Sequence, residues 1–549
     1  MKTTKALLAA FTALMSTTAC IAGNNVTGTI TCNGEGVPGV SVSDGYKWAT
    51  TDSQGRYALD SDKENGYVFY VLPSGYEATT SNGFMPAFWA PLSSDKNLCE
   101  KHDFSLNKVD NDRYKLIVAT DLHLAARNED SRQFENLFMT SVHRVVENSR
   151  EKVYSLFLGD VVWDEFWYCN KFMYREYLDL LGRNNYPTSV YHVMGNHDND
   201  AATAAGPACD FLSSGPFREN MGPRYYSLNL GRLHIIVLDD IFYKNLATDE
   251  KQNEGIVGDQ GYDDMVSAEQ LAWLKEDLKR VADKDAPVIV AVHSQTWRVA
   301  TDGKFQATPY LDGNNVYLLD NVFHGFKNVN FVSGHSHYNY HAHPRMFPNI
   351  HENNIAAVCG TWWYTGNYSP RHLCRDGSPA GYELYSINGT DVKWRYTAID
   401  PVDSVGSAQM RVYDMNTVSE FYRTSPEIKK LVEYYPKQMM YNDAPANQIM
   451  VNVFDYDTDW KVEVLEGGKP LAVTRTVAID PLHVLCSSVG IIKQKNRKPG
   501  ICRAINTNHM FVAQATTADA PVEVRVTDSW GRVYKQTLQR PKAFTTTMR

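Results

Sequence analysis

Beyond its first 23 residues this 549-residue chain has no apolar run long enough for a membrane-crossing helix, no low-complexity tract and no internal repeat. Those absences exclude later transmembrane helices, an extended disordered chain and a solenoid. A strong charge of one sign is missing too: 54 Lys and Arg against 63 Asp and Glu leave a net charge of −9. A polyanionic nucleic-acid backbone would meet no general attraction, so any anionic substrate must be held locally. Cysteine is sparse at nine residues. What is abundant is apolar and aromatic side chain, 43% and 12% of the chain, beside 21% charged residues. Such a chain has ample core, and its length predicts about three or four domains.

Residues 1–23 carry Lys2 and Lys5, an apolar run over residues 6–15, and small residues ending in Ala19, Cys20 and Ala22. The pattern predicts a secretory signal peptide and export to the periplasm or cell envelope. Cys20 also admits a lipoprotein reading with this residue as the acylated membrane anchor, although Thr17 stands where Leu is usual. In an oxidising compartment the later cysteines would pair as near neighbours: Cys32 with Cys99, Cys169 with Cys209, Cys359 with Cys374, and Cys486 with Cys502. Buried free thiols are the alternative.

Residues 24–108 alternate Val, Ile and Thr between Gly-Pro and Asp-Gly turns, which predicts a small antiparallel β-sandwich. The texture resembles the prealbumin-like or carboxypeptidase-regulatory-like modules of exported enzymes, whose usual implication is a spacer or docking role. Residues 113–400 change to apolar strands alternating with helical patterns, the mark of a layered α/β domain. One helix is expected over residues 131–147, with Phe134, Leu137, Phe138, Val142 and Val145 on one face; Ser267 opens a second. Both read as solvent-backed. Residues 405–549 return to β-type runs and predict a second sandwich.

Five segments of the middle domain share one grammar, an apolar strand followed by Asp, His or Asn. They are YKLIVATDLH, with Asp121 and His123; VYSLFLGDVVWDE, with Asp160 and Asp164; SVYHVMGNHD, with Asn196, His197 and Asp198; APVIVAVH, with His293; and VNFVSGHSH, with His335 and His337. Polar residues at several strand ends form a shared rim in open α/β sheets. Carboxylate, imidazole and one neutral amide suit a pair of transition ions, Mn, Fe or Zn, better than Ca. A carboxylate between two such ions lets a water be deprotonated near neutral pH while both charges neutralise a phosphoryl group. Gly195 is expected to let the chain turn sharply.

The ordered set DLH, GDVVWD, GNHD, AVH and GHSH resembles the calcineurin-like metallophosphoesterase superfamily over residues 114–400. The flanks are similar to the accessory domains of one bacterial branch. That resemblance implies a two-sheet core with flanking helices, between an N-terminal and a C-terminal β-sandwich. It implies Asp121, His123, Asp160 and His337 on one ion, and Asp160, Asn196, His293 and His335 on the other. His197 would protonate the leaving group, oriented by Asp164 or Asp198. The aromatic excess around the motifs, Trp163, Trp297, Trp362 and Trp363, would either contact substrate or fill core and loop contacts, and Arg375, in a segment that resembles the same branch, would meet a phosphate oxygen. The substrate implied would be a phosphate ester, and the sequence does not separate monoester from diester, nor nucleotide from phospholipid or phosphosugar. The rival reading is a metal-containing binding protein that recognises a glycan or protein through its sandwiches; His197 argues against it. His192, His234, His341, His343, His351 and His483 lack the strand-end setting and are read as structural.

Overall fold

The computed structural model describes residues 23–245, 260–404, 409–438 and 440–549. The expected signal peptide and Cys20 lie outside the described residues. The first β run forms as Val26–Cys32, whose side chains alternate between core and surface. It pairs antiparallel with Arg56–Leu59 and parallel with Phe104–Lys108, and a four-stranded sheet built on Tyr67–Tyr70 covers it.

This N-terminal sandwich is not a tethered spacer, because its core runs into that of the next domain. Trp48 stacks on Trp273 at 5.6 Å, and Phe88 packs on Tyr226 at 4.7 Å. The Tyr225 hydroxyl donates to the Gly45 carbonyl at 3.0 Å, and Val190 N donates to Phe84 O at 2.9 Å. The helix opened by Ser267, Ala268–Arg280, packs on the sandwich through Trp273 and keeps Glu269, Lys275 and Lys279 towards solvent, so it is solvent-backed on that face.

The middle domain holds two six-stranded sheets face to face. In the first, Arg113–Ala119, Lys152–Phe157 and Ser189–His192 run parallel, with Gly381–Asn388 antiparallel beside them. In the second, Leu233–Val237, Val288–Ala291, Val329–Ser333 and Ile350–Asn354 run parallel. Leu116, Val118 and Leu156 share a core with Ile235, Val290 and Phe331 of the opposite sheet. The alternating residues Ile117, Ala119 and Phe157 face helices instead, meeting Phe134, Phe138 and Val142. Continuous apolar runs thus serve two cores at once, and each large side chain so buried contributes about 1.5–3 kcal/mol.

The helix expected over residues 131–147 forms, but its middle, Phe134–Met139, is a π-helical turn between Asp130–Gln133 and Thr140–Glu147. The C-terminal domain has the expected two sheets, four strands each. It also carries helices absent from the sequence reading: Met415–Thr424, capped by Asp414, Pro426–Tyr434, capped by Ser425, and a helical run that ends in Gly490–Lys495. Their apolar faces cover one sheet of the sandwich.

The cysteine pairings are corrected. Cys99 is disulfide-bonded, but Cys32, Cys169, Cys209, Cys359, Cys374, Cys486 and Cys502 are free thiols. Two of these thiols are engaged by the backbone instead: Cys209 accepts from Asn245 N at 3.3 Å, while Cys374 donates to Ala357 O at 3.4 Å.

Candidate metal centre

Both sheets end at one rim. Asp121 and Asp160 follow Arg113–Ala119 and Lys152–Phe157, and Asn196 opens the short 3-10 turn after Ser189–His192. His293 follows Val288–Ala291, and His335 and His337 follow Val329–Ser333, so the second sheet faces the first with imidazoles. Asp121, His123, Asp160, His335 and His337 all have positive φ, between 43° and 62°. A left-handed conformation costs a non-glycine residue about 1–3 kcal/mol, and such strain collects at functional sites. Here it turns each side chain back across the strand ends. Gly195 serves differently from expectation, since its φ of −107° is extended. A Cβ there would lie 2.3 Å from Asp160 Oδ1, so its glycine permits close approach, not a turn.

Two nests result. In one, Asp121 Oδ1 lies 3.1 Å from His337 Nε2 and 3.5 Å from His123 Nε2, and those two nitrogens are 3.0 Å apart. In the other, Asn196 Oδ1 lies 3.0 Å from His293 Nε2 and 2.9 Å from His335 Nδ1. Asp160 Oδ2 stands between the nests, 3.5 Å from His123 Nε2 and 3.3 Å from His293 Nε2. His293 Nδ1 is 2.7 Å from the Leu158 carbonyl, which can only accept, so Nδ1 carries a proton and Nε2 is the nitrogen left facing the Asp160 and Asn196 oxygens. Buried Asp121 Oδ1 forms no hydrogen bond. Lone pairs converging on common points, with an orphaned carboxylate oxygen among them, fit cations.

The electrostatics agree. Burial alone would lower the His293 pKa, but Asp160, Asp121 and Asp240 push it up to about 10. Burial alone would raise Asp121, yet His337 and His123 hold it well below the usual carboxylate range. This is a strongly electronegative pocket, of the kind that a divalent ion neutralises.

Family models describe the whole arrangement. Calcineurin-like phosphoesterase matches residues 114–339, its N-terminal domain residues 24–109 and its C-terminal domain residues 352–534. The chain belongs to the calcineurin-like phosphoesterase family. Similar solved structures include a dimetal phosphatase from Danio rerio, 14% identical, covering 51% of this chain and 98% of its own, with a TM-score of 0.31. A purple acid phosphatase from yellow lupin, Lupinus luteus, is 10% identical over 64% of this chain and 57% of its own, at 0.34. A 5'-nucleotidase precursor from Thermus thermophilus is 14% identical over 53% and 55%, at 0.28. No curated protein matches the chain.

Around the phosphoesterase centre, His197 Nδ1 lies 2.7 Å from Asp164 Oδ1. Burial alone would lower His197, but Asp160 and Asp164 raise it to about 9. Asp198 does not share the orienting role. Its Oδ2 accepts from Gly195 N at 2.8 Å and from Asp160 N at 2.7 Å, pinning two motif loops together.

The aromatic candidates divide. Trp362 packs on His337 at 4.6 Å, and Trp163 on His123 at 4.9 Å, so both border the centre. Trp363 is 2% exposed and donates to Leu122 O at 2.8 Å; Trp297 is 3% exposed and donates to Asp320 Oδ2 at 2.9 Å. Those two are core residues, so of the two readings the packing one holds for them and they are not substrate contacts. Arg375 stays near, with its guanidinium 5.7 Å from the Trp362 ring, and donates to Arg503 O at 3.3 Å.

Three neighbours were missed in the sequence. Arg127 lies over Trp163 at 4.4 Å, Phe166 at 4.7 Å and Tyr364 at 5.1 Å, forming a cationic border. Its place four residues after His123 was the available signal. Tyr262 packs edge-on to His335 at 6.1 Å, and Asp240 Oδ1 accepts His293 N at 3.1 Å. No motif marks either.

Proposed function

We propose that the chain is an exported phosphoesterase that hydrolyses a phosphomonoester or phosphodiester, with His197 as proton donor to the leaving oxygen. Asp121, His123, Asp160 and His337 would hold one divalent ion, and Asp160, Asn196, His293 and His335 the other. Bound there, two such ions, Mn, Fe or Zn, supply water activation and charge neutralisation. The observation that carries the reading is Asp160 Oδ2, one carboxylate oxygen facing a histidine of each nest at 3.5 Å and 3.3 Å.

The chain's own residues do the rest. Asp164 accepts the Nδ1 proton of His197, which leaves Nε2–H as the donating end of an imidazolium. Asp198 and Asp240 keep the loops of Asp160 and His293 in place through backbone hydrogen bonds. Trp163 and Trp362, with ring centroids 6.4 Å apart, give the leaving group a flat apolar border, and Arg127 and Arg375 add positive charge. A nucleotide, a phospholipid headgroup or a phosphosugar meets that description. The signal-peptide pattern of residues 1–23 supports export to the periplasm or cell envelope, and Cys20 after Ala19 supports a lipid anchor as the second reading.

The test is the intact, metal-replete protein assayed on aryl phosphates, aryl phosphodiesters, nucleotides, sugar phosphates and glycerophospholipids. Metal-dependent turnover of at least one class is expected. Two bound ions with no turnover of any class would replace this reading with the non-catalytic binding protein.

A further inference from the structure

A second histidine cluster sits where the middle domain meets the C-terminal one, on the edge strand Tyr340–Ala342 and its neighbour Ile350–Asn354. His341 and His351 come from those strands, His343 from the turn that follows the first, and Asp455 and Asp457 from the loop after Gln448–Val453 of the C-terminal domain. His341 Nδ1 lies 3.0 Å from His351 Nε2. Asp457 reaches His343 Nε2 with Oδ1 at 2.7 Å and His351 Nε2 with Oδ2 at 3.8 Å. In a tetrahedral zinc site with bonds of ~2.0–2.1 Å, neighbouring ligand atoms are about 3.3 Å apart. The observed spacings bracket that value.

Three further features favour a cation. Glu383, Asp455 and Asp457 are buried together, and among the described residues no Lys or Arg forms an ion pair with any of them. Three carboxylates buried together against imidazoles alone are costly to ionise. Glu383 Oε1 and Asp455 Oδ2 also lack hydrogen-bond partners. Second, Asp455 Oδ1 lies 2.7 Å from His341 Nε2 and accepts a hydrogen bond from that nitrogen, which turns Nδ1 towards His351. Carboxylates orient metal-binding histidines in this way. Third, Asp455 is held at a φ of 57°, a strained conformation for a non-glycine residue.

We propose that His341, His343, His351 and Asp457 form a mononuclear site for a zinc-class divalent ion, separate from the phosphoesterase centre, that joins the middle and C-terminal domains. Three imidazoles and one carboxylate suit Zn and its neighbours in the transition series. Asp455 is its positioning residue. The ion would neutralise the buried acids and add its binding free energy to the cohesion of the two domains. No ligand is shared with the nests around Asp160, so the two loadings separate by mutation.

The test uses the full chain, stripped by chelator and reloaded with Zn alone, read by metal content, thermal midpoint and the visible spectrum after cobalt substitution. His343→Ala is the first variant, because its 46% exposed side chain carries little packing; His351→Gln is the second. Each should bind one equivalent less than wild type, keep turnover of an aryl ester, and lose part of the Zn-dependent rise in midpoint. Asp160→Asn should keep that part. If both histidine variants bind as much Zn as wild type, or if their midpoint responds to Zn as wild type does, the cluster is a hydrogen-bonded domain contact and the proposal fails.

Discussion

His197 Nδ1 and Asp164 Oδ1 are 2.7 Å apart, and the Asp164 side chain is fully buried while the His197 side chain keeps 18% of its surface. A carboxylate behind the ring and a partly open face in front are what a proton donor needs. His197→Ala should therefore retain both ions, lose about 10²–10⁴-fold on an alkyl phosphate ester, and lose markedly less on a nitrophenyl ester. An alkoxide leaves poorly without a proton and a nitrophenolate leaves nearly unaided. Equal losses on both esters would remove the general-acid role.

Asp164→Asn should shift the pH profile in a defined direction. The carboxylate raises His197, so its removal lowers that pKa, and the protonated donor disappears at lower pH. The basic limb of kcat/KM should move down in pH, with bound metal unchanged. A limb that stays in place would assign it to another group.

Asp160→Asn should weaken both ions of the phosphoesterase centre, because one of its oxygens faces both nests. His293→Ala should chiefly disturb the second. Elemental analysis after metal-replete purification decides this, and normal metal content in Asp160→Asn would count against the bridging role.

Trp362→Ala and Trp363→Ala, one residue apart, should differ in kind. Trp362 lies at the centre's border, so its loss should raise KM with little change in midpoint. Loss of buried Trp363 should destabilise by about 3–5 kcal/mol. Paired kinetics and thermal melts separate them.

The N-terminal sandwich should unfold with the middle domain in one calorimetric transition, since Trp48–Trp273 and Phe88–Tyr226 make one core of two domains. A separate early transition for residues 23–108 would overturn this. A chain starting near Asn107 would expose Tyr225, Tyr226 and Trp273 and is expected to aggregate.

The sequence by itself determined the order of the chemistry. Apolar runs ending in Asp, His or Asn are local patterns, and the strands they predict do end at Asp121, Asp160, Asn196, His293 and His335. Alternation in the flanks likewise announced sheets, because period and turn residues are local. What tertiary structure alone decided depends on residues far apart in the chain. Trp297 and Trp363 could not be told from Trp163 and Trp362, since burial depends on which sheet or loop lies opposite. Asp164 and Asp198 were equivalent partners for His197 until the Gly195 and Asp160 amides were seen to occupy Asp198. His341, His343 and His351 carried no motif, because the acids that complete their cluster lie over 100 residues downstream in another domain. Local spacing reports which residues share an element, whereas only packing between elements brings their side chains to one point.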